Sequence, residues 1–196
     1  YGVTLFCRFL PPMSRTPTAL ALAALLALPT ASAHVHGLAL LDVALDGGRL
    51  QLDLEATAHD LVGFERAPRD EAEKARLEAA RRTLLDHARL WQFNVAAGCV
   101  AEAPVLEVPG TPGGGAAKAH GHDHGHGDGQ AQEKTHGDWR VRYRFQCRNP
   151  EALRAIDTGL FAAFPAIESV RVQLIDASGA RAASLGPAQP RLVLRP

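Results

Sequence analysis

The sequence is short of cysteine, with three in 196 residues, and it has no excess charge of either sign, 21 Lys and Arg balancing 21 Asp and Glu. That balance argues against a nucleic-acid or anionic-membrane partner, either of which favours a strong basic surplus. Long hydrophobic runs are missing too. The apolar stretch Ala19 to Leu28 falls short of the roughly 20 residues that span a bilayer, so no stable membrane insertion is expected after cleavage, the alternative being an N-terminal signal anchor left in place. No nucleophile–base pair, glycine-rich phosphate loop or HExxH-type zinc-hydrolase motif occurs, and an enzyme is not expected.

The first thirty-three residues are expected to be a processed leader with some upstream sequence. Arg15 after Met13 makes a short positive region, Ala19 to Leu28 follows as an apolar one, and Ala31-Ser32-Ala33 is a small-x-small cleavage site. Met13 is the expected start, and residues 1–12 fit no element. Cleavage after Ala33 leaves 163 residues, a single domain's worth, with 19 basic against 21 acidic residues. Export to an oxidising compartment is expected. Cys7 goes with the leader, and Cys99 and Cys147 remain as an even pair in an oxidising compartment, expected to form a disulfide. That bond closes a loop of about 49 residues, worth roughly 4 kcal/mol in the chain-entropy model. The competing reading, two thiolate metal ligands, is disfavoured after export because such thiols oxidise.

The mature chain opens with an apolar run from His36 to Leu45, turns at Asp46-Gly47-Gly48, and continues from Arg49 to Ala56 in strict alternation. This predicts a half-buried hairpin. Asp70 to His87 carries Leu77, Ala80, Leu84 and Leu85 at helical spacing behind Ala67-Pro68, and predicts an amphipathic helix. A weaker strand is placed around Cys99 to Val108. From 109 to 137 no apolar period exists, only Gly, Pro, His, Ala and polar residues, and a disordered loop is expected. Order resumes at Asp138 to Arg148, where Trp139, Val141, Tyr143, Phe145 and Cys147 alternate with polar residues, as in a strand. Leu153, Ile156, Leu160, Phe161 and Phe164 read as a helical stripe ending at Pro165, and a last hairpin runs from Val170 to Leu194, turning at Asp176 to Gly179 and broken by Pro187 and Pro190. The order ββα(β)-loop-βαββ predicts an α+β fold, a mainly antiparallel sheet with two helices on one face.

Histidine is what the chain has in quantity. Five of its nine histidines lie between positions 120 and 136. "AHGHDHGHG" sets His120, His122, His124 and His126 at every second position, with Asp123, Asp128 and His136 nearby. Neutral imidazole suits Zn²⁺, Cu²⁺ and Ni²⁺, carboxylates complete such sites, and intervening glycines let alternate side chains converge on one ion. Binding should be reversible and weaken in acid, where protons compete near the imidazole pKa of about 6.5. The plainer alternative is a solvating linker. A second cluster depends on cleavage after Ala33, which exposes His34-Val35-His36 at a new amino terminus: an amine, two amides and the third-residue imidazole make a square-planar Cu²⁺ or Ni²⁺ site, and the two imidazoles also suit Zn²⁺. The alternative is a simple lead into the first strand. His59, with Glu55, Asp60 and Glu65 near it, is a further contributor to weigh against an ordinary loop histidine. His87 is read as a partner for a helix dipole. Arg140, Arg142 and Arg144 share one strand face, suited to an acidic partner or simply to solvent.

The ordered motifs "HVHGLALLDVALDGGRLQLDLEA", "DLVGFERAP", "AAGC", the interior His/Asp tract, "YRFQCRNPEAL" and "FPAIESVRVQLI" together resemble the ZrgA-type bacterial proteins, a zinc-regulated periplasmic family. The resemblance covers nearly all of the mature chain. It implies periplasmic Zn²⁺ binding in support of high-affinity zinc uptake, beside an ABC-type importer or its solute-binding protein, with His34, His36 and the central tract as ligands. The family often has His after "GFE", where this chain has Arg66, which argues against a metal ligand at that position. The alternatives from the residues alone are an envelope interaction module that buffers or senses metal, and copper or nickel sequestration at the His-Val-His terminus.

Overall fold

The computed structural model describes residues 35–109 and 138–195. Residues 1–34 and 110–137 lie outside the described residues, and with them the expected leader, His34 and the expectation of a disordered loop. The apolar run and the alternation after it fold as anticipated: β1 (Leu38–Asp46) and β2 (Arg49–Ala56) form an antiparallel hairpin whose register runs from Leu40↔Glu55 to Asp46↔Arg49. Its turn needs glycine twice. Gly47 has φ +54, and a Cβ on Gly48 would stand 2.5 Å from the Cys147 carbonyl oxygen. Leu41, Val43, Leu45, Leu50, Leu52 and Leu54 consequently share the buried face. Each such side chain contributes roughly 1.5–3 kcal/mol by leaving water.

The main sheet takes β6 (Trp139–Cys147) against β2 and β8 (Ser169–Asp176) against β1, with β9 (Gly179–Leu185) at one edge. Two short strands, β4 (Cys99–Ala101) and β5 (Val105–Glu107), both pair with β6 at the other edge, where one weaker strand was expected. All pairs are antiparallel except β1 with β8. Cys99 and Cys147 are register partners joined by a disulfide with S–S 2.03 Å, so the anticipated bond ties β4 to β6.

The long helix α2 (Glu71–Leu85) starts where its cap dictates: the Asp70 carboxylate accepts from Glu73 N at 2.8 Å, and Glu71 and Glu73 sit in the first turn against the helix dipole. Ala80 and Leu84 are buried in the core. The buried Tyr143 hydroxyl, on the core face of β6, donates to the Leu84 carbonyl at 2.7 Å and fastens the helix to the sheet. Helix α2 stops before His87, which instead opens a one-turn helix, α3 (His87–Leu90), after Asp86. His87 thus lies two residues past the end of the long helix rather than within it. Its ring packs edge-on against Phe145, with centroids 5.9 Å apart.

The stripe from Leu153 to Phe164 is not one helix. A 3-10 turn at Pro150–Ala152 leads into a strand, β7 (Ala155–Thr158), and a single helical turn, α4 (Leu160–Ala163), with Gly159 between them. A Cβ at Gly159 would meet the Arg89 carbonyl oxygen at 2.4 Å, a contact that fixes the break. Strand β7 is captured on both sides, by β3 (Trp91–Phe93) and β10 (Arg191–Val193), into a second, three-stranded sheet. Tertiary pairing has overridden a local spacing that fits a helix. Trp91 and Phe93 meet Tyr143 and Phe145 edge-to-face at 5.5 and 4.7 Å, joining this sheet to the core face of the main one. The expected last hairpin is confined to β8 and β9, because β10 leaves for the second sheet. The result is α+β and mainly antiparallel, with four helices among the described residues rather than two. Among those residues no helix is long and apolar enough to cross a membrane.

Candidate metal centre

Just before β1, the chain is pinned at Gly37. Its N–H donates to Asp60 Oδ1 at 3.0 Å, and its carbonyl accepts from the N–H groups of Glu168 and Ser169 at 2.8 and 2.9 Å. Gly37 has φ +79, a conformation that favours glycine, and a Cβ there would press on the Glu168 side chain. His36 is thereby held at the open end of the hairpin.

The same end receives His59. After β2, Thr57 caps a short helix, α1 (Ala58–Val62), by accepting from Asp60 N at 3.1 Å, and Gly63 closes it at φ +87. Ala58, Asp60, Leu61 and Val62 turn inward and His59 outward. Its ring lies 4.4 Å from that of His36 between centroids, tilted by 57°. Beyond Gly63, buried Phe64 aims the next residue back, and Glu65 Oε1 stands 3.9 Å from His36 Nδ1. That is too long for a hydrogen bond. Two donors on one tetrahedral zinc, each at ~2.0–2.1 Å, stand roughly 3.4 Å apart, so the separation is near that of ligands to a shared ion.

Arg66 is held by a carboxylate of α2. Its guanidinium makes two bonds to Glu73, at 2.6 and 2.7 Å, and lies 5.2 Å over the Phe64 ring. Glu73 also accepts from Arg69 N at 2.7 Å. The Arg66 bond first, then the Arg69 N–H, hold the Glu73 carboxyl down at about 2, from an ordinary 4.5. Position 66 offers no neutral donor to a metal.

Of the residues singled out as ligands, His36 is described and stands against His59 and Glu65. His34, His120, His122, His124, His126, His136, Asp123 and Asp128 lie outside the described residues. Glu55 is in an ion pair with Arg140 on the open face of the sheet, at 2.8 Å. Arg142 likewise pairs with Asp53 at 2.6 Å, so the acidic groups facing these arginines include those of β2. Among the described residues no three His, Cys, Asp or Glu side chains are gathered as a complete metal site. What the fold supplies is a partial set: two imidazoles in contact, one carboxylate beside them, and the buried Asp60 beneath.

The described roots of the His-rich tract share a cavity with Glu65. Glu107 pairs with Arg140 across β5 and β6, and Trp139 pairs with Ala56 at the end of β2. Val108, Pro109 and Trp139 line one cavity of about 170 Å³ together with Val62, Phe64, Glu65 and Arg66.

Residues 33–194 match the family described as ZrgA family zinc uptake protein. The chain belongs to that family. The match spans the whole described body, including the His36 corner, the disulfide and the tract between β5 and β6. No curated protein matches the chain. Membership ties this ZrgA-family chain to zinc uptake, and two imidazoles with a carboxylate are a donor set of the kind Zn²⁺ takes.

Sequence reasoning gave His59 only a subsidiary place. The signal that finds it is the hairpin register: continued past Leu40↔Glu55, it sets position 36 against position 59.

Proposed function

We propose that this ZrgA-family protein is a non-enzymatic, periplasmic zinc-binding accessory protein that captures Zn²⁺ on its His-rich tract and supports high-affinity uptake. His120, His122, His124 and His126, with Asp123, Asp128 and His136, collect the ion in exchanging ligand sets. His36 and His34, with His59 and Glu65, receive it at the corner of the folded body. The ion is then passed to an ABC-type importer or its solute-binding protein.

The observation that supports this reading most is the shared cavity: Val108 and Trp139, at the two roots of the tract, line the same space as Glu65. Glu65, on that cavity, is also the carboxylate that stands beside His36. The chemistry is exchange between imidazole sets, which neutral histidines perform without a redox step. The disulfide between Cys99 and Cys147 ties β4 to the far end of β6, opposite the end at Trp139 where the tract returns.

Deleting Ala119 to Gly127 tests the capture step. We expect several fewer zinc ions per chain and poorer growth when zinc is limiting. Unchanged stoichiometry and growth would remove the tract from the function.

A further inference from the structure

The Asp60 carboxylate is only 4 % exposed, yet one of its oxygens, Oδ2, has no hydrogen-bond partner among the described residues. Buried carboxylate oxygens are normally satisfied, and one left bare calls for a reason. Local helix capping does not supply it. Thr57 and Asp60 stand in the capping-box spacing, in which the last residue's side chain reaches back to the N-cap N–H. Here the Thr57 half is made, with Oγ1 accepting from Asp60 N at 3.1 Å. The Asp60 half is not: Oδ1 accepts instead from Gly37 N, 23 positions away in sequence, and Oδ2 accepts from nothing. Asp60 thus bridges the two segments that carry the imidazoles, following His59 directly in α1 and holding the residue after His36.

An imidazole that gives one ring nitrogen to a metal presents its other as an N–H, and such groups almost always donate to a carboxylate, a carbonyl or water. We infer that Asp60 is the positioning residue of the zinc site, fixing the approach of His36 to His59 through Gly37 with Oδ1 and keeping Oδ2 as the acceptor for an imidazole N–H of the loaded site. The inference rests on the reading of His36 and His59 as zinc ligands. It adds that a buried group with no metal bond of its own sets the affinity.

The test uses the full chain with His120, His122, His124, His126 and His136 replaced by alanine, purified without metal-affinity chromatography and titrated with Zn²⁺ by calorimetry. Three variants are compared with this parent: Asp60→Asn, Asp60→Ala and His59→Ala. Asn keeps an acceptor for Gly37 N but puts an amide NH₂ where Oδ2 was. Asp60→Asn should weaken zinc binding about 10–100-fold while the zinc-free Tm stays level or rises. Asp60→Ala should weaken binding and also lower the zinc-free Tm. If Asp60→Asn binds as the parent does while His59→Ala loses the ion, the zinc site stands and the role of Asp60 is overturned. An Asp60→Asn protein that does not fold also overturns it, placing Asp60 in the fold alone. If His59→Ala binds as the parent does, the reading of the site fails, and this inference fails with it.

Discussion

Two carboxylates on either side of the turn after α1 have opposite fates. Glu73 is closed off: Arg66 bonds both its oxygens, Arg69 N adds a third bond, and its carboxyl is held near 2. Glu65, immediately before Arg66, stands 3.9 Å from His36 and keeps 31 % of its side chain exposed. The same residue type serves as a fastener in one place and stands open to a ligand in the other. The difference lies in the neighbour: a guanidinium that stays charged at every physiological pH and bonds both oxygens leaves no room for an ion, whereas an imidazole can share one with the carboxylate.

The largest effect should come from breaking the open corner. With the tract histidines replaced by alanine, His36→Ala combined with His59→Ala should weaken Zn²⁺ binding at least about 100-fold, because loss of an outer partner alone reaches 10–100-fold. Calorimetry reads this, and an unchanged Tm would confirm that the loss is local. Next in size is converting the fastener into a donor. Arg66→His in the same background should tighten zinc about tenfold by supplying another imidazole, while lowering Tm through loss of the bonds to Glu73.

The fastener itself should show in acid. Because the Glu73 pKa is lowered in the folded protein, from 4.5 to about 2, its contribution is complete above pH ~5 and fades as pH falls towards 2. Glu73→Gln should therefore unfold at a lower Tm at pH 7, the gap closing as pH falls, with zinc affinity at pH 7 unchanged. A gap that persists at pH 2 would contradict the assignment. The smallest effect belongs to the open face of the sheet. Glu55→Gln, which breaks the exposed pair with Arg140, should change stability by no more than about 1 kcal/mol in denaturant unfolding and leave zinc binding alone.

Much of this was legible in the residues. Period-two alternation marks β1, β2, β6 and β8, and Asp70 with the acids behind it marks the start of α2, since one buried face and one cap each leave a local signature. The segment from Leu153 to Phe164 misleads because its apolar spacing satisfies a helix, while β3 and β10, distant in sequence, pull Ile156 into a sheet. Strand β3, three residues long, carries too little period to announce itself. For the site, His36 is conspicuous in its His-Val-His setting, whereas His59 is a lone histidine whose meaning comes from the hairpin that returns it to His36. Asp60 was visible only as a neighbour of His59. Its bond to Gly37 and its bare oxygen are properties of the folded chain.

The most direct test of the account is X-ray absorption spectroscopy at the zinc edge on the tract-silenced full chain loaded with one equivalent of Zn²⁺. The corner predicts one bound ion with two imidazole nitrogens and a carboxylate oxygen at ~2.0–2.2 Å. A protein that retains no zinc once the tract is silenced, or a bound ion whose shell holds no pair of imidazoles, would contradict it.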